Sequence, residues 1–336
     1  MKVSVVIPTH NRSDALRLTL LNLAGQEFDQ PWELIVVNNR STDDTDAVVA
    51  SVPFPVELTL LHEEKPGAAA ARNAGLARAR GEYLVFMDND ILVGPDFLRR
   101  HVEALERNPG CWVVGGIAGL PEHEAAPFGQ FRKALASEWQ QHEVTEATGL
   151  TGANFSAPRP SLISLGGFDE DFAIASQEDL ELAVRAWNAG IKILLHPTII
   201  GVHNDWAGSS IDDYCHRVRS YARTEPLFWR KYGDDYCHRD LLRENLPPAW
   251  GSDSPHTIFK KMIKGCAGAG PAQAVLLKAC HLLESTVPFR PVLWRLYRLA
   301  LVGATYRGIQ EGLAMYASDY SPGAAGKGGG PLPNRS

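Results

Sequence analysis

Two aspartates separated by one residue stand directly after an apolar run in this sequence. The run extends from Tyr83 to Met87, and Asp88-Asn89-Asp90 follows it. Mg²⁺ and Mn²⁺ prefer carboxylate oxygens and keep coordination positions open for phosphate oxygens. The alternative is an acidic loop that only caps a helix. Because the pair follows a buried strand, the sequence favours a divalent cation site.

A second segment has the composition of a phosphate-binding helix start. Residues 67–75 read Gly-Ala-Ala-Ala-Ala-Arg-Asn-Ala-Gly. Small residues let the backbone approach a ligand, and a helix N-terminus favours negative charge. Arg72 could pair with a pyrophosphate or a base carbonyl. An ordinary alanine-rich helix with a surface arginine is the alternative, and the segment alone does not decide between them.

A third candidate group lies in the second half of the chain. Glu178-Asp179 opens a helix after a Gly-Gly-Phe-Asp turn at residues 166–169. A general base needs a fixed carboxylate, and a helix start is a rigid place for one. Acids in a first helical turn also occur for dipole reasons alone, which is the simpler interpretation of the pair by itself. His203 follows a strand-like run and is either a ligand or a polar strand-end residue.

The elements that would position these groups alternate along the first hundred residues. Apolar runs at 3–7, 34–37, 57–61 and 83–87 predict strands, and residues from 13, after 43 and from 68 to 80 predict helices. This order predicts a doubly wound, mostly parallel α/β sheet, in which ligands bind beyond the carboxyl ends of the strands. The polar clusters at 9–11, 38–39 and 88–90 all fall there. We therefore expect them to share one site.

The remainder of the chain is less regular. We expect strands at 112–117 and 191–195, and helices at 128–140, 178–189 and 212–232. Residues 256–318 read as amphipathic helices interrupted by glycine and proline. The hexapeptide Asp-Asp-Tyr-Cys-His-Arg occurs at 212–217 and again at 234–239. Adjacent helical residues point in different directions, so neither Cys-His pair is a good zinc chelate.

Composition excludes some classes of protein. The 336 residues carry a net charge of −6, which does not suit a nucleic-acid binder. Five cysteines without a Cys-x-x-Cys pair indicate a reduced, cytoplasmic setting. The first apolar run stops at Pro8, and the longest uncharged stretch is too short for a bilayer, so we expect neither a signal peptide nor a transmembrane helix.

Taken together, these segments resemble the family 2 glycosyltransferases, which have the GT-A fold. Each motif is weak alone, but their order and spacing are specific over roughly residues 1–230. The resemblance is carried by residues 3–12, 36–43, 71–75, 81–90, 166–170 and 178–179. It implies a glycosyltransferase domain at 1–230, with a nucleotide-binding half (1–100) and an acceptor half (101–230). A helical extension (231–320) and a disordered tail (321–336) would follow.

The resemblance also implies roles for individual residues. Asp179 would be the general base, and Asp90, with Asp88 and His203, would hold the divalent cation of a DxD motif. The sequence departs from the family at Asn38, where Asp is usual. Asn keeps a carbonyl acceptor for a pyrimidine N–H, so a UDP-linked donor remains the expectation. The residues implied to bind the nucleotide sugar are Pro8, Thr9, Asn11, Arg12, Asn38, Arg72, Asp88 and Asn89.

The predicted function is an inverting, hexosyltransferase-like reaction on an acceptor hydroxyl, in polysaccharide or glycoconjugate synthesis. The acceptor could be a glycan, a lipid-linked molecule or a small molecule. A sugar-1-phosphate nucleotidyltransferase is one alternative, although residues 8–12 lack the Gly-rich basic loop that it needs. A non-catalytic nucleotide-sugar-binding protein is the other. Basic and apolar residues in 256–310 predict one of two arrangements: peripheral contact of the C-terminal helices with the inner face of the cell membrane, or a helical cap packed on the catalytic domain with its basic face in solvent.

Overall fold

The computed structural model describes residues 1–135, 143–147, 149–172, 177–204, 210–233, 239–286 and 290–316. The chain separates into two compact units. The first comprises residues 1–121 and 136–206, and the second comprises residues 122–135 and 207–336. The predicted disordered tail, 321–336, lies outside the described residues, and the predicted domain boundary at 230 stays a prediction.

The strands within the described residues are β1 (Val3–Thr9), β2 (Trp32–Asn38), β3 (Glu57–His62), β4 (Tyr83–Met87), β5 (Ile91–Val93), β6 (Trp112–Ala118), β7 (Thr145–Glu146), β8 (Asn154–Pro158) and β9 (Ile193–His203). The helices are α1 (Ser13–Leu23), α2 (Thr45–Ser51), α3 (Ala68–Arg78), α4 (Phe97–Arg107), α5 (Pro121–Ala125), α6 (Pro127–Leu135), α7 (Arg159–Ser164), α8 (Glu178–Asn188), α9 (Ile211–Tyr232), α10 (Arg239–Glu244), α11 (Pro255–Gly268), α12 (Gly270–Thr286) and α13 (Arg290–Tyr316).

The first unit is built on one sheet with the strand order β3-β2-β1-β4-β8-β6-β9-β5, and β7 pairs with β9. The strands β3, β2, β1 and β4 are parallel, as the alternating pattern predicts. The strand β8 runs antiparallel to both of its neighbours, β4 and β6. The predicted α/β class, with a central sheet flanked by helices, is confirmed, but the sheet is mixed, because four of the eight strand pairings in the described residues are parallel and four are antiparallel.

Burial on both faces explains why β1 is apolar along nearly its whole length. Val5 belongs to the core layer that contains Leu16 and Leu20 of α1, whereas Val6 belongs to the layer on the opposite face. On that second face α3 lies very close to the sheet. A Cβ at Gly75 would stand 2.3 Å from Val6 Cγ1, so only glycine permits this approach. The tight contact fixes α3, and Arg72 with it, over the strand ends.

The strand β9 corrects one sequence-based expectation. The pattern indicates a strand at 191–195 and a separate apolar run after Pro197, but the structure has a single strand from Ile193 to His203. The pairing with β6 shifts between Gly115, opposite His196, and Gly116, opposite Ile200. Proline cannot donate to a ladder, and the bulge removes it from the pairing without ending the strand. The continued strand delivers His203 to the end of the sheet.

The described residues of the second unit form helices, and aromatic side chains contribute to their core. Phe128 and Phe131 of α6 pack with Tyr297 of α13 at ring-centroid distances of 5.1 and 5.2 Å. Glycine does not interrupt α13, contrary to the sequence-based expectation. Gly308 and Gly312 instead allow close packing, because a Cβ would stand 2.3 and 2.1 Å from carbonyl oxygens of α9. Among the described helices, none is both long and apolar enough to cross a membrane.

Candidate active site

Hydrogen bonds tie together the carboxyl ends of β1 and β4. The Nδ2 of Asn89 donates to Thr9 Oγ1 at 2.7 Å, and both side chains are buried. The hydroxyl of Thr19 donates to the Asn89 carbonyl at 2.9 Å. Pro8 lies within β1, in register with Val37 of β2. These contacts hold the acidic tripeptide Asp88-Asn89-Asp90 in one position relative to β1.

The loops after β1 and β2 are also joined by side chains. Asn11 lies in the left-handed region, with φ 51°, and its Oδ1 accepts from the Thr42 N–H at 2.7 Å. Its own N–H donates to Ser41 Oγ at 3.0 Å. The predicted nucleotide-binding residue Asn11 therefore organises the rim of the site. The neighbouring His10 contacts the Asn39 carbonyl through Nδ1 at 2.7 Å.

Asn38, where the sequence departs from the family pattern, accepts one hydrogen bond and donates another through its side-chain amide. Its Oδ1 accepts from the Ser41 N–H at 2.8 Å, and its Nδ2 donates to Asp46 Oδ1 at 2.6 Å. Asp46 contacts His62 Nε2 at 2.7 Å through its other oxygen. His62, first, and then Asn38 lower the pKa of Asp46. A carboxylate that the sequence interpretation did not include thus stands beside the amide, and only one amide orientation suits both partners.

Asp90 meets two of the predicted residues. Arg12 Nη1 donates to Asp90 Oδ2 at 2.9 Å, and His203 Nδ1 lies 3.4 Å from the same oxygen. The contact between Asp90 and His203 depends on β5, which directly follows Asp90 and pairs antiparallel with the end of β9. In this pairing Ile91 lies opposite His203. The Asp90 side chain is 7% exposed, so this carboxylate is held in a largely desolvated place.

Arg72 is the buried centre of a second group. Its Nη2 donates to Asp88 Oδ1 at 2.9 Å, and its Nη1 donates to Glu178 Oε1 at 2.7 Å. The guanidinium also lies over the Phe168 ring, 5.5 Å from its centroid. Burial opposes the charge, but Asp88, Glu178 and Asp179 together raise the Arg72 pKa. One arginine therefore joins the acid at the end of β4 to the start of α8.

Asp179, the predicted base, is adjacent to this arginine group. Its Oδ2 accepts from the Gly152 N–H at 3.0 Å. Burial, and then the neighbouring Glu178 charge, raise the Asp179 pKa to about 7, although Arg72 opposes the shift. A carboxylate with a pKa near neutrality suits general-base work. Gly152 itself is required by packing, because a Cβ there would stand 2.4 Å from Arg72 Nη2.

The donor set at the end of β4 suits a hard divalent cation only in part. Within the described residues no three His, Cys, Asp or Glu side chains form a group that could hold a metal. Asp90 and His203 nevertheless approach each other, and Asp88 stands two residues away with a third of its side chain exposed. Mg²⁺ is commonly held by one or two carboxylates plus substrate phosphates. The residues therefore fit a cation that shares its coordination with a bound diphosphate.

Sequence reasoning did not find Asp46, Gly152 or the strand β5. Asp46 and Gly152 carry no local signal, because each acts through a contact with a residue distant in the sequence. The strand β5 had a signal, the apolar triplet Ile91-Leu92-Val93, but three residues are too few for a periodic pattern. The predicted residues with ionisable side chains separate into two groups, Arg12 with Asp90 and His203, and Arg72 with Asp88 and the α8 start.

Comparison with known proteins gives a consistent result. Residues 4–142 match the family model described as Glycosyl transferase family 2. An uncharacterized glycosyltransferase, YfnE of Bacillus subtilis, is 27% identical over 266 residues, 63% of this chain and 68% of the relative. Validoxylamine A glucosyltransferase of Streptomyces hygroscopicus subsp. jinggangensis is 30% identical over 265 residues, 68% of this chain and 63% of the relative. The alignments thus span about two thirds of these two relatives.

Solved structures of similar shape support the fold. The mannosyltransferase PcManGT from Pyrobaculum calidifontis, solved with GDP-Man and Mn²⁺, superposes with a TM-score of 0.55 at 21% identity, covering 91% of this chain and 86% of that one. TarS residues 1–349 of S. aureus, solved with UDP-GlcNAc, gives 0.51 at 18% identity, covering 92% and 91%. The predicted GT-A fold is confirmed by these likenesses.

Proposed function

Because this chain belongs to the family 2 glycosyltransferases, we propose that it transfers a sugar from a nucleoside diphosphate to an acceptor hydroxyl with inversion. The observation that carries the proposal is the buried Arg72, which joins Asp88 at the donor side to the helix start bearing Asp179. The arrangement favours a transferase over a binding protein, since a binding protein has no need of a fixed carboxylate with a raised pKa. Residues 8–12 lack the Gly-rich basic loop that a nucleotidyltransferase needs.

The donor would bind across the ends of β1, β2 and β4. Thr9, Asn11, Asn38 and Asn89 shape this edge, and Arg12 and Arg72 supply cationic groups for a diphosphate. Asp90, with His203 and Asp88, would hold Mg²⁺ or Mn²⁺. When bound, such a cation neutralises charge that develops on the leaving diphosphate. The nucleotide of the donor would be UDP.

Asp179 would act on the acceptor. As a carboxylate it takes the proton from the acceptor hydroxyl while that oxygen attacks the anomeric carbon opposite the leaving group. The Gly152 N–H fixes one carboxylate oxygen, which limits the side chain to few orientations. A single displacement with one base inverts the anomeric configuration. The acceptor would be a glycan, a lipid-linked molecule or a small molecule in polysaccharide or glycoconjugate synthesis.

Calorimetric titration with UDP, in Mn²⁺ and then in EDTA, tests the donor site. We expect binding in Mn²⁺ and much weaker binding in EDTA, because the Asp90 carboxylate repels a diphosphate unless a cation lies between them. The Asp90→Asn variant should bind UDP with the same affinity in Mn²⁺ and in EDTA. Asp29→Asn, which removes an exposed acid in a loop, should keep the difference between the two conditions. Equal UDP affinity in Mn²⁺ and in EDTA would show that the cation is not needed for donor binding. Tighter binding of GDP than of UDP would show that the proposed nucleotide is wrong.

We also propose that α11 contacts an anionic membrane surface, with the protein in the cytoplasm. Phe259, Met262 and Ile263 form an exposed apolar stripe, with side chains 62, 48 and 41% exposed, and Lys260 stands beside it in solvent. Basic residues outnumber acids in 256–310, where Glu284 is the only acid. The composition overstates the basic face, because Lys261 is buried and pairs with Asp253 at 2.8 Å.

Vesicle flotation with the full-length protein tests this contact. We expect flotation with anionic vesicles and not with neutral ones. Phe259→Ser combined with Ile263→Ser should abolish it. The matched control is Leu18→Ser with Leu21→Ser, which removes two leucines that are 53% exposed on α1. If the control variant loses flotation as fully as the α11 variant, or the unaltered protein never floats, the membrane proposal is wrong.

A further inference from the structure

The second unit contains a half-open cavity of about 200 Å³, with both polar and apolar lining, that the proposed transfer reaction does not use. Two helix faces line it, each with residues at the spacing i, i+3, i+4, i+7, which places them on one side of a helix. The first copy of the repeated hexapeptide supplies three of the lining residues; its second copy falls mainly outside the described residues. The lining residues are Asp212, Cys215, His216 and Arg219 of α9, Gly270, Gln273, Ala274 and Leu277 of α12, and Arg307 of α13.

Cationic groups exceed acidic groups beside this cavity. Three guanidiniums share the carboxylate of Glu311: Arg219 Nε donates at 3.0 Å, Arg223 Nη2 at 2.8 Å and Arg307 Nε at 3.2 Å. One carboxylate cannot neutralise three such charges. A structural ion pair would need one arginine, or two at most, so the surplus calls for another anion.

The surplus also appears as unused hydrogen-bond donors. Arg307 engages Glu311 through Nε alone, and neither of its terminal nitrogens has an acceptor among the residues that the structure describes. Among the same described residues, Nη1 of Arg219 also has no acceptor. Both arginines line the cavity. A guanidinium presents its terminal nitrogens as a planar fork that matches the oxygens of a phosphate group.

The start of α12 adds a further feature at the same place. Gly270 opens this helix of 17 residues and lines the cavity. A Cβ at position 270 would stand 3.6 Å from Arg307 Nη1, at ordinary contact distance, so the helix start lies beside the arginine fork. The positive end of a helix favours anions. The start of α12 and the arginines therefore both favour an anion in this cavity.

The remaining lining residues do not oppose an anion strongly. Asp212 is the one acid, and its carboxylate is engaged by His281 Nε2 at 2.5 Å. Burial, with the nearby Asp212 and Cys280, raises the Cys215 pKa to about 12, so its thiol stays neutral. Ala274 and Leu277 form an apolar wall, which suits the carbon side of an ester.

We propose that this cavity binds a phosphate monoester. The shared chemistry is the terminal phosphate, which could come from a phosphorylated lipid or from a soluble sugar phosphate. The proposal does not rest on the sugar-transfer reaction, because all of its residues lie in the helical unit.

Calorimetric titration of the full-length protein with inorganic phosphate in EDTA tests the site. We expect Arg307→Gln to weaken phosphate binding at least about tenfold, the usual scale of a lost hydrogen bond between charged groups. Arg298→Gln, an exposed arginine of the same helix, should change it by less than about twofold. Ala274→Glu offers a second variant that leaves the arginine cluster intact and should also lose binding. Melting temperatures confirm that each variant is folded.

Glucose 1-phosphate and vesicles containing phosphatidic acid separate the two sources. Binding of either probe that Arg307→Gln weakens, and Arg298→Gln does not, supports the proposal and identifies the source. Absence of phosphate binding up to about 10 mM, or equal losses in the Arg307 and Arg298 variants, would overturn it.

Discussion

Replacing Asn38 by aspartate, the residue usual in the family, should damage this protein. The Asn38 Nδ2 donates to Asp46 Oδ1 at 2.6 Å. In Asn38→Asp a carboxylate oxygen takes the place of that donor, so two carboxylates face each other. The side chain at 38 is buried, whereas the Asp46 side chain is 54% exposed. The new acid therefore cannot turn out to solvent, although its neighbour partly can.

The size of the effect follows from this distance. Two unit charges at 2.6 Å repel by about 1.6 kcal/mol in bulk water and about 3 kcal/mol at an effective dielectric constant of roughly 40. The lost hydrogen bond to a charged group adds about 1.5–3 kcal/mol. Because Asp46 can relax toward solvent, we expect a net loss of about 2–4 kcal/mol in the free energy of unfolding. That corresponds to a fall in melting temperature on the order of 5–10 °C.

The assay is a double-mutant cycle of Asn38→Asp and Asp46→Asn, read by thermal melting at pH 8. The double variant restores one amide and one carboxylate with their places exchanged, so it should regain at least about 2 kcal/mol. Lowering the pH toward 5 should also rescue the single Asn38 variant, since the pair can then share a proton. If Asn38→Asp melts like the unaltered protein and Asp46→Asn does not change that result, the contact does not determine the residue at 38.

Three further predictions concern the base and its surroundings. Asp179→Asn should leave UDP affinity nearly unchanged and cut transfer by about 10²-fold or more; near-normal turnover in a radiolabelled-donor assay would move the base elsewhere, with Asp169 the next candidate. The raised Asp179 pKa predicts that kcat/KM falls as the pH drops below about 7. It also predicts that folding disfavours the charged form, with a penalty that is complete above about pH 7 and disappears only near the ordinary pKa of 3.8, so Asp179→Asn should melt higher than the unaltered protein at pH 8 and lose this advantage progressively as the pH falls toward about 4. Gly152→Ala should lose about 1–3 kcal/mol in the free energy of unfolding, because the new Cβ would clash with the Arg72 guanidinium, which its ion pairs hold in place. Gly149→Ala, which has open space around it, is the control. Equal melting temperatures of the two variants would show that Arg72 can move aside.

The sheet and the edge that carries the site could be predicted because their signals are local. The strand Tyr83–Met87 is an unbroken apolar run, and the acids that follow it must fall at the carboxyl end of that strand. The order of strands and helices then predicts which loops meet. Every residue implied by the resemblance lies at this edge or in contact with it. Asn38 ends β2 there, opposite Thr9, and its hydrogen bonds lead on to Ser41 and Asp46.

The partners of those residues could not be predicted, because they depend on contacts between distant parts of the chain. Arg72 and Glu178 are 106 residues apart, and only the packing of α8 near α3 brings them together. Local rules also failed where packing overrides them. Gly308 and Gly312 would weaken an isolated helix, yet α13 continues through both because they face the α9 backbone. Pro197 predicted a break in the strand, but a bulge leaves this proline out of the pairing and the strand continues.

The contact between Arg12 and Asp90 bears on how the donor would bind. Arg12 donates to the Asp90 carboxylate that the proposal assigns to a cation, so the arginine and a cation compete for the same negative charge. Arg12 is a third exposed and can turn toward the solvent side of the site, whereas Asp90 is almost fully buried and cannot follow. Turning away leaves a guanidinium in need of an anion, and a diphosphate bound at this edge supplies one. A cation without a nucleotide would have to break the ion pair with no such compensation. The nucleotide and the cation should therefore bind more tightly together than either does alone, which is the coupling that the UDP titration with and without EDTA measures.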